Sequence, residues 1–292
     1  MNNTTNQPTI SFKSVTKKFG DFTALDDVSF DVQPGESVAL WGSNGAGKTT
    51  LIRCMLGVTN FQGEAFVEGV NSKKNGKEVR NRLGYVPQVM PFFDLPVGEM
   101  VLLITRLRGV TPTEGLNLLK RFDLEDTRRK PVRSLSGGMR QKLALTLALL
   151  GDPHLLILDE PTANLDAKTQ KELIGMLNEL KQEGRTIVFT SHRWSEVRAL
   201  ADTVVNLENG KVVEHSSVKN LAPELDQVSI RIELGSEQVQ IAADSLRRIG
   251  FVPYVNRSHL LVSVQDKAKM EVFAALTQEG VAPINFDVEV EE

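Results

Sequence analysis

The segment from Ser37 to Thr50 reads SVALWGSNGAGKTT. Its first five residues form a dense apolar run, which predicts a strand buried on both faces. That strand leads into a loop matching GxxxxGK followed by Ser or Thr, namely Gly42, Ser43, Asn44, Gly45, Ala46, Gly47, Lys48 and Thr49. Glycines let such a loop curl its amide N–H groups toward phosphates, and the following helix adds a positive partial charge. The segment therefore predicts an α/β nucleotide-binding fold.

Three residues at the end of this loop have expected roles. Lys48 should reach the β- and γ-phosphates, and the Thr49 hydroxyl should ligate Mg²⁺. Thr50 belongs to the same phosphate-binding turn. The alternative is a chance glycine-rich turn, which the strand–loop–helix setting disfavours.

A second apolar run ends in two acidic residues. The strand predicted at 155–158 is followed directly by Asp159 and Glu160. Because ligands of parallel sheets collect at the carboxyl ends of strands, Asp159 is expected to hold Mg²⁺ directly or through water. Glu160 is expected to be the base that polarises the attacking water. The alternative is a strand end followed by a solvated acidic turn.

Composition narrows the class of protein. The chain has 292 residues, a formal net charge of −3 and one cysteine, Cys54. This length suits two domains, and the charge gives no general reason to expect nucleic acid or an anionic membrane surface. One cysteine excludes an internal disulfide. No secretory signal and no apolar run of about 20 residues is found, so the sequence favours a cytoplasmic protein.

Apolar patterning predicts the domain organisation. Residues 1–8 are expected to form a flexible tail and residues 9–221 an α/β nucleotide-binding domain, in which strands alternate with helices. A helical subdomain is expected at about 89–135. Residues 222–292 show the order βαββαβ, which predicts a small α+β ferredoxin-like domain.

The sequence LSGGM at residues 135–139 lies between the phosphate loop and Asp159. With these motifs together, residues 9–221 resemble the ATP-binding cassette (ABC) ATPases. The resemblance implies that Ser136, Gly137 and Gly138 grip ATP held by a second, facing subunit. Judged alone, Ser-Gly-Gly is an ordinary helix cap. Trp41 and Ser43 are less usual choices for the family, and neither removes a phosphate ligand.

Four further residues take expected roles from the same resemblance. Gln88 resembles the Q-loop glutamine, which senses the γ-phosphate and Mg²⁺, and Asp166 lies in a segment like the D-loop that crosses to the partner. His192 follows the predicted strand 186–190, where the family places its switch histidine. Phe19 lies where an aromatic ring stacks on adenine. The alternatives are a surface glutamine, a polar turn, a structural histidine and a core phenylalanine.

The resemblance also implies a function and partners. It implies an ATPase subunit with ATP and Mg²⁺, working as a homodimer on a separate membrane permease at the inner face of the cell membrane. One cassette plus a small carboxyl-terminal domain is similar to bacterial exporter ATPases, including drug and lipid exporters and the copper-handling type of nitrous-oxide-reductase maturation. Importers remain an alternative.

An apolar stretch after Gln88 suggests where the permease docks. Residues 89–107 are apolar for a surface segment, and the stretch includes Met90, Phe92, Phe93 and Val97. It is expected to form part of a groove for a permease helix. The alternative is that these side chains fill the core of the helical subdomain.

Two rival functions stay open at the level of sequence. One is an ABC ATPase acting on nucleic acid or the ribosome. Residues 224–292 carry 12 acidic and 6 basic side chains, a net charge of −6, which suits phosphate backbones poorly. The other is a regulatory binding module with slow ATP turnover.

Overall fold

The computed structural model describes residues 7–90, 94–225, 227–235, 237–256 and 259–290. The chain divides into two compact units, the first ending at Val218 and the second beginning at Lys219. This division lies three residues before the boundary at 221 expected from sequence. Most of the expected tail, residues 1–6, lies outside the described residues.

An antiparallel sheet opens the first unit. Its strands are β1 (Ile10–Phe19), β2 (Phe22–Val32), β4 (Gln62–Val67) and β5 (Val70–Asn71), in the order β2-β1-β4-β5. The expected alternation of strands and helices is therefore wrong for this region. The reason is local: Gly20 has a φ of 57° and, with Asp21, makes a two-residue turn that folds β2 back onto β1.

A six-stranded sheet carries the chain's nucleotide motifs. It contains β3 (Ser37–Trp41), β6 (Leu83–Val86), β7 (Leu155–Leu158), β8 (Thr186–Ser191), β9 (Thr203–Glu208) and β10 (Lys211–Ser217). The order is β10-β9-β3-β8-β7-β6, parallel apart from the β9–β10 pair. Strands β7 and β8 are buried throughout. The carboxyl ends of β3, β8 and β7 are therefore neighbours at one edge.

Helices cover this sheet and form the inserted region. They are α1 (Lys48–Met55), α2 (Gly76–Arg82), α3 (Val97–Arg108), α4 (Pro112–Arg121), α5 (Gly137–Ala148), α6 (Ala167–Gln182) and α7 (Trp194–Leu200). Helix α3 packs against α4, and α4 against α5. Helices α3 and α4 lie within the span expected for the helical subdomain. No helix among the described residues is long and apolar enough to cross a membrane.

The apolar stretch after Gln88 is only partly on the surface. Met90 and Val97 are buried, so the expectation that they line an open groove is wrong. They are part of the hydrophobic interior instead. Leu103 and Leu107 are 45% and 75% exposed. They are four residues apart on α3 and so share one face of the helix. Phe92 and Phe93 lie outside the described residues.

The second unit has its own core. After α8 (Val218–Leu225) come β11 (Gln227–Glu233), α9 (Val239–Arg248), β12 (Tyr254–Val255), β13 (His259–Gln265), α10 (Lys269–Gln278) and β14 (Asn285–Val290). From β11 onward this is the βαββαβ order that the sequence predicts. The sheet is antiparallel with the order β12-β13-β11-β14. Ile230, Val262, Leu246 and Val272 belong to one buried cluster between sheet and helices.

Candidate functional site

The phosphate loop is shaped by glycines that no larger residue can replace. Gly42 and Gly47 have φ angles of 145° and 106°. A Cβ on Gly42 would lie 2.3 Å from the carbonyl oxygen of Leu207, and one on Gly47 2.6 Å from that of Ala24. Such close backbone approach requires glycine at both positions. The loop therefore curls tightly before α1 begins at Lys48.

The Lys48 ammonium is held inside this loop. Its Nζ donates hydrogen bonds to the carbonyl oxygens of Gly42, at 2.5 Å, and Ser43, at 3.0 Å. Burial lowers the pKa of Lys48, and the nearby charges of Glu160 and Asp159 oppose that shift. A cation fixed at a helix amino terminus is suited to binding an anionic phosphate.

Side-chain oxygen atoms from α1 and from the residue after β7 meet next to the loop. The Thr49 hydroxyl donates to Oδ1 of Asp159 at 3.2 Å, and the Thr190 hydroxyl donates to the same oxygen at 2.8 Å. In the described part of the chain, no three His, Cys, Asp or Glu side chains cluster as a complete metal cage. Mg²⁺ is typically held by one or two protein oxygens, waters and substrate phosphates. Thr49 and Asp159 fit that donor set.

Glu160 is the centre of a polar network. Gln88 Nε2 donates to its Oε2 at 3.0 Å, and His192 Nδ1 lies 3.6 Å from its Oε1. Its backbone N–H donates to the Thr190 hydroxyl at 2.7 Å. Its φ is 46°, which is rare for a residue with a side chain and recurs at functional sites. Two residues predicted from separate motifs, Gln88 and His192, therefore lie next to the carboxylate of a third, Glu160.

A cavity of about 320 Å³ opens beside the loop. It is lined by Phe19, Phe22, Ala24, Asn44, Gly45, Ala46, Gly47, Lys48, Thr49, Thr50, Gln88 and Glu160. Phe19 is 49% exposed, so it is not the core residue of the alternative interpretation. The Lys17 ammonium lies 4.5 Å from the centre of its ring and donates to the carbonyl oxygen of Asn60. The cavity thus joins an aromatic surface to the phosphate loop.

Phe22 is a lining residue that the sequence analysis missed. It is 63% exposed and pairs with Phe19 across the two-residue turn between β1 and β2. The available signal was the Phe-Gly-Asp-Phe spacing at 19–22, where a tight turn places two aromatic residues opposite each other.

The LSGG segment forms a second cluster with the segment of Asp166. Ser136 caps α5 by accepting a hydrogen bond from the Met139 N–H at 3.3 Å. Asp166 caps α6 by accepting from the N–H and hydroxyl of Thr169, and these bonds lower its pKa. A Cβ on Gly138 would lie 2.4 Å from Thr169 Cγ2. The two caps are therefore packed together.

This cluster is separate from the cavity lining. Among the described residues, the set that lines the 320 Å³ cavity does not include Ser136, Gly137, Gly138 or Asp166. The structure therefore brings the predicted site residues together as two groups. One is centred on Lys48 and Glu160, the other on the two helix caps.

Two tryptophan rings pack together next to the phosphate loop. Trp41, the last residue of β3, is half-buried and faces Trp194 with ring centres 5.9 Å apart. Trp194 is the first residue of α7 and lies two positions after His192. Trp41 therefore contacts a ring from the segment that follows His192.

The phosphate loop, the acidic strand end and the LSGG helix lie in a region with known counterparts. A family model described as ABC transporter matches residues 25–163. Nod factor export ATP-binding protein I of Burkholderia pseudomallei is 34% identical over 238 residues, covering 80% of this chain and 76% of that protein. The chain belongs to the ABC transporter ATP-binding proteins.

Other ABC relatives differ in length and in the direction of transport that their names give. A probable sulfate/thiosulfate import ATP-binding protein of Chlorella vulgaris is 37% identical, covering 73% of this chain and 93% of that protein. A putative ABC transporter ATP-binding protein of Methanosarcina acetivorans is 34% identical over 74% of this chain. The chain spans 43% of the length of that relative.

Solved ABC structures confirm the predicted cassette fold. The ATP-binding subunit of an ABC transporter aligns with a TM-score of 0.67 at 28% identity, covering 74% of this chain and 92% of that structure. A dimeric ABC cassette in a post-hydrolysis state with ADP and Pi aligns with a TM-score of 0.65 at 26% identity, covering 72% and 98%.

Proposed function

We propose that this ABC cassette binds and hydrolyses ATP with Mg²⁺. The observation that carries the proposal is the network around Glu160, which joins Gln88 and His192 beside a cavity lined by the phosphate loop. A carboxylate placed next to a triphosphate site is suited to act as a general base.

We expect ATP to lie in the cavity with its base at the aromatic end and its phosphates at the loop. The adenine ring stacks on Phe19, with Phe22 beside it, and the phosphates lie on the loop of residues 42–49. Lys48 contacts the β- and γ-phosphates. Thr49, Gln88 and Asp159 hold Mg²⁺, which supplies positive charge that neutralises the phosphate oxygens.

The remaining groups act on the attacking water. Glu160 accepts a proton from it, since this residue lines the cavity. Gln88, 3.0 Å from that carboxylate, limits its orientation. His192 lies on the other side and donates to the γ-phosphate, which stabilises charge as the bond to the leaving ADP breaks.

The second cluster completes the site of another copy. Ser136, Gly137, Gly138 and Asp166 are not cavity-lining residues within the described chain, so an ATP bound to Lys48 receives them from a facing subunit. The relative solved as a dimer with ADP and Pi supports this arrangement. Two copies then close around two ATP and open after hydrolysis.

The dimer drives a separate permease at the inner face of the membrane, with the cassette in the cytoplasm. Exposed Leu103 and Leu107 on α3 lie in the helical insert, and a cavity of about 660 Å³ nearby is lined in part by Glu99 and Leu102 of the same helix. An amphipathic permease helix suits such a surface. Export is the proposed direction, because the Nod factor export relative aligns over more of this chain, 80% against 73% for the importer.

Turnover by a Glu160→Gln variant tests the proposal. The substitution keeps the size of the side chain and removes the base, so hydrolysis should fall by about 100-fold or more. ATP binding should persist, and sedimentation should show an ATP-dependent dimer. A wild-type protein that binds ATP without turnover would instead be a regulatory module, and a monomer at saturating ATP would contradict the shared site.

A further inference from the structure

Glu196 is a buried carboxylate next to the Glu160 network that no motif singles out. It lies in the first turn of α7 and is 7% exposed. It accepts a hydrogen bond from the hydroxyl of Ser191 at 2.8 Å and another from the hydroxyl of Thr162. Both donors are buried as well. A carboxylate is costly to bury, and this one receives hydrogen bonds from two different segments.

Those two segments carry the proposed catalytic pair. Thr162 lies two residues after Glu160, and Ser191 directly precedes His192. The carboxylate of Glu196 therefore links the backbone beyond Glu160 to the backbone before His192. Arg193 Nη1, 3.6 Å from Glu196 Oε1, is a third neighbour of this carboxylate.

A second link between the same strands shows what Glu196 adds. The Thr190 hydroxyl bonds to Asp159 and to the Glu160 N–H at the strand ends. The pairing of β7 with β8 ends at Leu158 and Phe189, so strand pairing between these two chains no longer fixes their separation beyond that point. Glu196 supplies a link there, where His192 Nδ1 and Glu160 Oε1 are 3.6 Å apart.

We propose that Glu196 is a positioning residue for ATP hydrolysis, which fixes the spacing between Glu160 and His192 by binding Thr162 and Ser191. The inference rests on the proposed ATPase function. It concerns orientation alone, since Glu196 reaches the site through the two hydroxyl groups. A displacement of about 1 Å in a catalytic group reduces rates by as much as 100-fold.

Steady-state kinetics of Glu196→Ala provide the test. We expect kcat to fall between about 10-fold and 100-fold, with KM for ATP and the ATP-dependent dimer unchanged. Glu196→Gln should recover most of kcat, because an amide can accept from one hydroxyl and donate to the other. Glu78→Ala is the matched control, since it removes an ion-paired glutamate of α2. A fall in melting temperature with unchanged kcat would assign Glu196 a structural role only and overturn the proposal.

Two single-atom changes keep the test valid if Glu196→Ala does not fold. Thr162→Val and Ser191→Ala each remove one donor, and each should lower kcat in its own right. Normal kcat in both would overturn the proposal. If the wild-type protein does not hydrolyse ATP, both the proposed function and this inference are wrong. If the wild-type protein hydrolyses ATP, Glu160→Gln abolishes hydrolysis and Glu196→Ala does not change it, then only this inference is wrong.

Discussion

Two helix amino termini in this cassette are built from similar residues and have different surroundings. Helix α1 follows a loop in which the carbonyl oxygens of Gly42 and Ser43 accept hydrogen bonds from the Lys48 ammonium, and the loop lines a cavity. Helix α5 follows Ser136, whose hydroxyl caps its own helix, and its first glycines pack against Leu165 and Thr169. The first terminus has a ligand cavity in its own chain. The second is not part of that cavity's lining within the described residues, and we propose that it binds a ligand held by another chain.

Removal of the Lys48 ammonium should produce the largest effect in this comparison. Lys48→Ala removes the buried cation of the first terminus, so ATP affinity should fall by about 100-fold or more, because charged contacts to phosphate in a partly buried site are strong. Isothermal titration calorimetry measures the affinity. Lys77→Ala, an exposed lysine of α2, is the control. Equal ATP affinity in Lys48→Ala and wild type would show that the first terminus does not bind phosphate.

The second terminus should behave in the opposite way. Ser136→Ala should leave ATP affinity of the single chain unchanged and reduce hydrolysis by about 10-fold to 100-fold, because one donor to the transition state is lost. The calorimetry and turnover measurements are the same as for Lys48. Weaker ATP binding by the isolated Ser136→Ala chain would contradict the separation of the two termini.

Mixing the two variants sharpens the comparison. A mixed dimer of Lys48→Ala and Ser136→Ala chains contains one composite site with both an intact loop and an intact LSGG segment. The mixture should therefore recover part of the hydrolysis that each variant lacks alone. Turnover at a fixed total concentration and varied ratio should peak near equal amounts. A flat response would show that each chain works with its own Ser136.

The contrast between the termini also shows what a sequence can reveal. The phosphate loop, β3, β7 and the LSGG cap could be predicted, because each is specified by neighbouring residues. The pairing of β1 with β4 and the contact of Phe22 with the cavity could not, since they depend on how distant segments meet. Glu196 has no motif, and its bonds to Thr162 and Ser191 exist only after folding.

Replacing either of the two aromatic residues at the first terminus should have a smaller effect on ATP affinity, and the two replacements should differ. Phe19→Ala should weaken ATP binding by about tenfold, in line with the loss of one base-stacking contact. Phe22→Ala should weaken it less, because its ring is more exposed. Titrations with ATP and with inorganic triphosphate distinguish base from phosphate contacts. Equal losses for both ligands would mean that the rings do not contact the base.

The smallest effect concerns the cap beside the second terminus. Hydrogen bonds from Thr169 hold the pKa of Asp166 below its ordinary value near 3.8. A lowered folded pKa means that the cap stabilises fully above pH 3.8 and loses that contribution as the pH falls through the folded value. Asp166→Asn keeps an acceptor without titrating. The difference in free energy of unfolding between wild type and Asp166→Asn should therefore depend on pH only in acid. A difference that grows above pH 5 would contradict the assignment.

The pairing of Trp41 with Trp194 has a practical consequence. The chain has two tryptophans, and their rings are 5.9 Å apart between the strand before the phosphate loop and the helix after His192. All indole emission from this protein therefore originates from one pair of rings, and one of them, Trp41, directly precedes the phosphate loop. A shift of the segment that carries His192 would change the distance between the two rings, and we expect the intrinsic fluorescence of unlabelled protein to change with it.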